Sequence, residues 1–174
     1  MARTDRIGFP SMMESSGKSS AQKPRIALGA DHAGFQAKES LKKYLESAGY
    51  DVSDEGAWSE ESVDYPDFAI KVARRVQQGH NDLGILVCGT GIGMAMAANK
   101  VGGVRAAVAH DALTARMSRE HNDANVLALG ARVLDEHQII DVAVSFLTAQ
   151  FAGGRHQRRI DKISELDQEP KHRE

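Results

Sequence analysis

Cysteine is nearly absent from this sequence, since Cys88 is the only one in 174 residues. A single cysteine excludes an intrachain disulfide and a cysteine-based zinc site, which favours a reducing, cytoplasmic setting. No apolar run approaches the ~18 residues of a membrane span, and the N-terminus lacks the apolar core of a signal peptide. The net charge of -2 gives no electrostatic reason to expect nucleic acid or a membrane surface as partner. We therefore expect a small-molecule partner.

The composition fits one globular domain with a sizeable core, because 41% of the residues are hydrophobic and 26% are charged. Residues 1–23 are rich in Ser, Gly and Met without a clear period, and we interpret them as a disordered leader or the result of a wrongly chosen start codon. The single domain is expected to span residues 24–167, with a polar tail over 168–174.

Short apolar runs alternate with helical patterns along the domain, which predicts an α/β fold with a five-stranded parallel sheet covered by helices on both faces. The predicted strands are 25–30, 50–54, 83–88, 104–109 and 126–129. The predicted helices are 35–48, 67–78, 93–100, 112–120, 136–150 and 155–166. The last helix keeps only Ile160 and Ile163 among charged residues, so we expect it to pack on a neighbouring subunit.

The segment LGILVCGTGIGMAMAANK, residues 83–100, is the most informative in the chain. It predicts a strand that ends in Cys88, then a glycine-rich turn, then a helix whose N-terminus would favour a thiolate. The loop lacks the Lys-Ser or Lys-Thr pair of a P-loop, and Met94 and Met96 stand where a GxGxxG motif needs its third glycine. Its backbone N–H groups suit a phosphate, carboxylate or oxyanion. The alternative is a plain tight turn with Cys88 buried as a small hydrophobe.

Other polar residues follow predicted strands or precede them. Asp31 and His32 follow the first strand, at the edge where the carboxyl ends of parallel strands converge. His121 and Asn122 come just before the last strand, where a histidine could move a proton and an asparagine could hold an anionic oxygen. The alternative for each histidine is a helix-end cap, and for His110 we prefer that alternative.

Arginine is concentrated in the segment GGRHQRRI, residues 153–160. Guanidinium groups bind phosphate in a bidentate manner, so this segment is a candidate phosphate site. The alternative is a run of solvated charge. Carboxylates and histidines show no spacing that requires a metal ion, and we expect activity to survive a chelator.

Several ordered motifs together resemble the ribose-5-phosphate isomerase B family. They are GADHAGF at 29–35, DYPDFA at 64–69, CGTGIGMAMAANK at 88–100, RAAVAHDALTARMSREHNDANVLALGARV at 105–133 and GGRHQRRI at 153–160. The resemblance covers nearly the whole chain after Pro24, and the leader is the main departure. It implies a Rossmann-like sandwich and a cofactor-free isomerase that interconverts ribose 5-phosphate and ribulose 5-phosphate through a cis-enediol.

The resemblance also implies roles for the residues of the glycine loop. Cys88 would be the base that moves the proton between C2 and C1, and Thr90 beside it would polarise the substrate. Some family members carry a glutamate base at the position of Ile92, so this chain matches the cysteine variant. The enediolate would be stabilised by Asn122 and by the backbone N–H groups of Gly89, Gly91 and Gly93.

Ring opening would fall to His121, with Asp31 contacting the sugar and His32 and Tyr65 lining the site. The phosphate would be held by Arg155 and Arg159, joined by Arg132, with His156 as a secondary candidate. In relatives the site is shared between two subunits of a homodimer or tetramer, and the partner would supply the residues matching His121, Asn122 and Arg132. A monomer would then be nearly inactive.

The motifs leave the substrate itself open. Similar sequences act on six-carbon sugar phosphates, such as allose 6-phosphate or galactose 6-phosphate, or on tetrose phosphates. A non-catalytic sugar-phosphate-binding protein is the alternative from another class, although Cys88, Thr90 and His121 together argue against it. A cysteine hydrolase is a weaker alternative, because no ordered Cys-His-Asp triad is evident.

Overall fold

Five strands and six helices alternate along the chain, and the computed structural model describes residues 22–168. The strands are β1 (Ile26–Ala30), β2 (Val52–Asp54), β3 (Leu83–Cys88), β4 (Ala106–Val108) and β5 (Val126–Gly130). The helices are α1 (Phe35–Ser47), α2 (Tyr65–Gln77), α3 (Ile92–Ala98), α4 (Ala112–Asn122), α5 (Glu136–Thr148) and α6 (Gln157–Glu165). Short 3₁₀ turns, Gly154–His156 and Leu166–Gln168, flank α6.

The five strands form one parallel sheet in the order β2-β1-β3-β5-β4, which confirms the predicted fold class. Right-handed crossovers place a helix on one face when the chain moves one way across the sheet and on the other face when it moves back. Accordingly α2 and α3 cover one face, while α1, α4 and α5 cover the other.

Each face has its own apolar core, because alternate residues of the buried strands point to opposite sides. On β3, Ile85 and Val87 face the α1–α5 side, whereas Leu86 and Cys88 face the α2–α3 side. Phe146 of α5 is fully buried in the first core and Met94 of α3 in the second. Burial on both faces explains why the central strands are continuous apolar runs.

The topology makes the carboxyl end of β3 a natural site. The chain leaves β3 toward the α2–α3 face, but it leaves the flanking strands β1 and β5 toward the opposite face. The loops therefore part on both sides of β3, and crevices at such switch points are where open α/β sheets bind ligands.

The predicted boundaries are wrong at several ends. The edge strands β2 and β4 have three residues each, shorter than predicted, because each pairs on one side only. Helix α2 begins at Tyr65 rather than at residue 67, since Pro66 is well tolerated in a first helical turn. Helix α4 extends through Asn122, so His121 lies in its last turn.

The predicted leader over 1–23 and the polar tail over 168–174 lie almost entirely outside the described residues. In the predicted partner-packing helix α6, Ile160 is buried against its own chain, while Ile163 and Leu166 are exposed. None of the helices found between residues 22 and 168 has the length and apolar character to cross a bilayer.

Candidate active site

Cys88 is the last residue of β3, and its sulfur is buried at the start of the glycine loop. Its Sγ accepts a hydrogen bond from the Gly91 N–H at 3.1 Å. That donor was predicted for the enediolate, but the structure directs it at the sulfur. A donor aimed at sulfur interacts more strongly with a thiolate than with a thiol, because hydrogen bonds to charged groups are stronger. The glycine turn thus directs a backbone donor at the Cys88 sulfur.

Glycine is required at the turn itself. Gly91 has φ +81°, and a Cβ there would lie 3.1 Å from the carbonyl group of Ala128 on β5. A side chain at this position would both strain the backbone and strike the sheet. Gly91 therefore allows the loop to pass close over β5 while its N–H faces Cys88. Thr90, two residues after Cys88, is exposed, and its hydroxyl accepts a long hydrogen bond from the Ile92 N–H at 3.4 Å.

Asp31 follows β1 next to Cys88, because Ala30 is paired with Val87 in the sheet. The Asp31 N–H donates to the Val87 carbonyl at 3.2 Å, and its carboxylate accepts from the Gly34 N–H at 2.9 Å. A Cβ on Gly34 would lie 2.2 Å from the Val87 carbonyl oxygen, so the α1 N-terminus presses directly on β3. The structure thus brings the predicted Asp31 and Cys88 together.

His32 and Tyr65 border the same crevice. The His32 Nδ1 accepts a hydrogen bond from the Val63 N–H at 3.2 Å, which leaves Nε2 as the protonated, donating nitrogen of the neutral ring. The Tyr65 ring lies against Gly93, where a Cβ would be 2.7 Å from the ring carbon that bears the hydroxyl. Glycine is therefore required at position 93, because the Tyr65 ring packs too close to α3 to leave room for a side chain there.

Arg132 also lies at this edge, on the loop after β5. Its N–H donates to the Gly89 carbonyl at 3.0 Å, and its Cδ would be 3.4 Å from a Cβ on Gly89. The expectation that the partner subunit brings Arg132 to the cysteine is therefore wrong, because the arginine covers the glycine loop of its own chain.

A second cluster gathers the remaining predicted residues. His121, in the last turn of α4, stacks on His156 with ring centroids 4.3 Å apart and an interplanar angle of 6°. The Ala152 N–H donates to the Glu120 carbonyl at 2.9 Å and holds the segment that precedes Arg155 against α4. His156 is buried, whereas Asn122, Arg155 and Arg159 are exposed around it.

The two clusters lie at opposite edges of the sheet. The chain leaves β4 at the carboxyl edge, and α4 carries it back to the amino edge before β5. Accordingly the Arg105 Nε, just before β4, donates to the Asn122 carbonyl at 3.2 Å. Cys88 pairs with Gly130 at the other end of β5. Since five strand residues span about 15 Å, one chain does not bring His121 to its own Cys88.

Charge in the second cluster is predominantly positive. The pKa of His156 is lowered, first by burial of the ring and then by the positive charges of His121, Arg155 and Arg159. Burial and repulsion both disfavour the charged imidazolium.

At the carboxyl edge of the sheet, Asp111 caps α4, and its pKa is lowered by hydrogen bonds from the N–H and hydroxyl of Thr114. The residue that caps α4 is therefore Asp111, and not His110, for which the helix-cap interpretation was preferred.

Sequence reasoning missed a buried ion pair beside the site. The Lys38 Nζ is fully buried and lies 2.9 and 2.8 Å from the two carboxylate oxygens of Asp54. Asp54 also accepts the Gly56 N–H at 3.0 Å, and Ala57 donates to the Ala30 carbonyl at 2.7 Å just before Asp31. A lysine on the apolar face of α1 was the available signal.

Asp123 was missed as well. It ends α4 with φ +44°, and its carboxylate binds Arg105 at 2.9 Å and Arg119 at 2.7 Å. Asp and Asn are enriched among residues with positive φ, so the sequence HNDAN held a signal for this turn. The ion pairs fix the turn that carries His121 and Asn122. Among the residues from 22 to 168 there is no group of three or more His, Cys, Asp or Glu side chains that could hold a metal ion.

The fold defines a three-layer α/β protein whose candidate site lies at the switch point of its sheet. Residues 26–163 match the ribose/galactose isomerase family, and the chain belongs to that family. It is 45% identical over 144 residues to ribose-5-phosphate isomerase B of Escherichia coli, an alignment that covers 83% of this chain and 97% of that protein.

Solved structures agree with this membership. Ribose-5-phosphate isomerase B of Clostridium thermocellum is 50% identical with a TM-score of 0.81, covering 82% of this chain and 97% of that one. The Mycoplasma genitalium isomerase, solved with bound ribulose 5-phosphate, is 44% identical with a TM-score of 0.81, covering 84% of this chain and 97% of that one.

Proposed function

We propose that this chain interconverts D-ribose 5-phosphate and D-ribulose 5-phosphate, with Cys88 transferring the proton between C2 and C1. The observation that carries the proposal is the hydrogen bond from Gly91 to the Cys88 sulfur, at the end of β3 and next to Asp31. The relative solved with ribulose 5-phosphate supports the substrate class. The single cysteine must stay reduced for this chemistry, so we place the protein in the cytoplasm.

The reaction begins with ring opening. His121 transfers a proton between the anomeric hydroxyl and the ring oxygen, and Asp31 orients the sugar. The Cys88 thiolate then takes the C2 proton, which leaves a cis-enediolate. Thr90, Asn122 and the free N–H groups of Gly89 and Gly93 hold its oxygens. The Cys88 thiol returns the proton to C1, and the hydroxyl proton moves from O2 to O1.

The phosphate is held by the arginines. Arg155 and Arg159 are exposed and free to turn toward a ligand, and Arg132 extends over the glycine loop from the other side. His32 donates from Nε2 at the same crevice. Guanidinium groups suit phosphate because they present paired N–H donors.

The complete site is formed by two copies of the chain. One copy supplies Cys88, Asp31 and Arg132 from its carboxyl edge, and the other supplies His121 and Arg155 from its amino edge. This division follows from the separation of the two clusters within one chain. Exposed apolar side chains on α3 and α4 offer contact surface for such an assembly; they are Met96, Leu113 and Met117.

The test follows conversion of ribose 5-phosphate, with allose 6-phosphate, galactose 6-phosphate and erythrose 4-phosphate in parallel. A second assay follows deuterium incorporation at C1 of ribulose 5-phosphate in heavy water. Ribulose 5-phosphate is an open chain, because its C5 oxygen carries the phosphate, so this exchange needs no ring opening. Cys88→Ala should lower both rates at least about 100-fold, while His121→Ala should lower mainly the conversion.

Each outcome decides between the alternatives. Near-normal turnover by Cys88→Ala would refute the cysteine mechanism. Preference for a six-carbon or four-carbon substrate would retain the mechanism and reject ribose 5-phosphate. Saturable binding of ribose 5-phosphate without turnover of any sugar would identify a binding protein instead.

A further inference from the structure

The second cluster contains a face-to-face contact between two histidines that the proposed reaction steps do not use. The rings of His121 and His156 are nearly parallel, at 6°, with centroids 4.3 Å apart. His156 has only 8% of its surface exposed, in contrast to the exposed Arg155 and Arg159 on either side. One face of the His156 ring is therefore covered by His121 and is not available to an approaching phosphate.

The backbone around His156 holds its ring in this place. Gly153 and Gly154 have φ values of +63° and +56°, which other residues rarely adopt, and they turn the chain back toward α4. The Ala152 N–H is bound to the Glu120 carbonyl at 2.9 Å, and the His156 N–H to the Gly153 carbonyl at 3.1 Å. The residue before His121 and the turn before His156 are thus tied together, so the stack is a fixed part of the fold.

We propose that His156 is a positioning residue: a neutral aromatic platform that holds the His121 imidazole in one orientation while His121 gains and loses a proton. The inference rests on the proposed role of His121 in ring opening. A proton transfer requires a near-fixed donor and acceptor geometry, and misplacement by about 1 Å costs about 100-fold in rate. In the last turn of a helix, a histidine without such a platform would sample several rotamers.

The platform works in both protonation states of His121. A neutral ring packs on a neutral imidazole through apolar contact, and it attracts an imidazolium through the electron-rich face of the ring. This requires His156 itself to remain neutral. Burial and the positive charges of His121, Arg155 and Arg159 keep the pKa of His156 low, which favours the neutral form of its ring.

The test compares two replacements of similar size. His156→Phe keeps an aromatic platform, and we expect its kcat for ribose 5-phosphate to stay within about 3-fold of the wild type. His156→Leu removes the platform, and we expect its kcat to fall about 10-fold. Deuterium exchange at C1 of ribulose 5-phosphate should be unchanged in both, because it bypasses ring opening. His80→Leu, at an exposed histidine between α2 and β3, controls for the loss of a histidine as such.

Three results would overturn the proposal. Equal kcat values for the Phe and Leu variants would show that no aromatic platform is needed. A higher KM for His156→Phe with unchanged kcat would assign His156 to phosphate binding. An equal loss of conversion and of exchange in His156→Leu would indicate a general structural defect.

A measurement without substrate separates this inference from the proposed function. In the histidine NMR spectrum, stacking displaces the ring protons of His121, which are assigned with His121→Gln. The displacement should persist in His156→Phe and disappear in His156→Leu. If the wild type turns over no sugar, the proposed function fails; if its His121 signals show no displacement, the positioning inference fails on its own.

Discussion

The surroundings of the Cys88 sulfur are determined by the position of this residue in β3. Elsewhere in the same strand a cysteine would be a small buried hydrophobe, like Val87 beside it. At the last position of β3 its sulfur accepts a hydrogen bond from the Gly91 N–H, and the preceding residue, Val87, accepts one from the Asp31 N–H. The predicted tight turn is present and presents a donor to the sulfur, while the reactive role of Cys88 stays a prediction.

At the same scale, Arg155 and Arg158 form a matched pair for testing phosphate binding. Arg155→Ala should raise KM for ribose 5-phosphate about 10-fold with little change in kcat, because the phosphate is bound alike in the ground and transition states. Initial rates over a range of substrate concentrations measure both constants. Arg158→Ala, an exposed arginine of the same segment, should change neither. A fall in kcat at constant KM for Arg155→Ala would contradict its assignment to the phosphate.

At the scale of elements, the contact between α1 and β3 sets the geometry of the carboxyl edge. Gly34→Ala would place a Cβ 2.2 Å from the Val87 carbonyl oxygen, and backbone atoms on both sides leave little room to move. We expect it to lower the free energy of unfolding by about 2–3 kcal/mol or more. Gly102→Ala, where the nearest atom is 3.9 Å away, should stay within about 0.5 kcal/mol. Urea denaturation measures the stability of both variants. Equal urea midpoints for Gly34→Ala and Gly102→Ala would refute the tight contact at Gly34.

The turn that docks on α4 should make stability depend on pH. The pKa of His156 is lowered in the folded chain, chiefly by burial, whereas in the unfolded chain it returns to about 6.5. Between these values the unfolded chain binds a proton that the folded chain does not, so stability is full above about pH 6.5 and falls as the pH drops toward the folded pKa.

Thermal unfolding near pH 7.5 and near pH 5.5 measures this dependence. The decrease in Tm on acidification should be larger for the wild type than for His156→Phe, which cannot titrate at this position. An identical decrease in the two proteins would exclude His156 as its source.

At the scale of the whole molecule, the separation of the two clusters leads to a complementation experiment. Cys88→Ala and His121→Ala should each be inactive in converting ribose 5-phosphate. After subunit exchange between the two, roughly a quarter of the activity should return, because half of the dimers are hybrids and each hybrid has one intact site. Conversion assays before and after exchange measure the recovery.

The control for complementation uses two changes in the same half of the site. Mixtures of Cys88→Ala with Asp31→Ala should recover nothing, since both residues come from the carboxyl edge of one chain. No recovery in the first mixture would show that each chain completes its own site, whereas recovery in the control would show that Asp31 and Cys88 of one site come from different chains.

The sequence predicted the sheet well, because alternating apolar runs and helical patterns are direct consequences of burial on both faces. It also placed Asp31 and Cys88 at one edge, since both follow parallel strands. The chain order implies two further positions. His121 precedes β5 and therefore lies at the amino edge, whereas Arg132 follows β5 and lies at the carboxyl edge with Cys88. The burial of Lys38 depends on packing between α1 and β2, and no local pattern determines it. The individual residue roles came from family resemblance rather than from spacing.

The sheet order has a consequence for how the molecule loses its activity. Cys88 stands on the central strand, hydrogen-bonded to neighbours on both sides, in the part of the fold that opens last. His156 and Arg155 belong to the end of the chain, where α6 contributes one buried apolar side chain, Ile160. Fraying of this end would remove the phosphate-binding Arg155 and the His156 ring that stacks on His121, while the sheet with Cys88 stays intact. The enzyme's tolerance to heat would then be set by its most weakly held segment, and not by the strand that carries its cysteine.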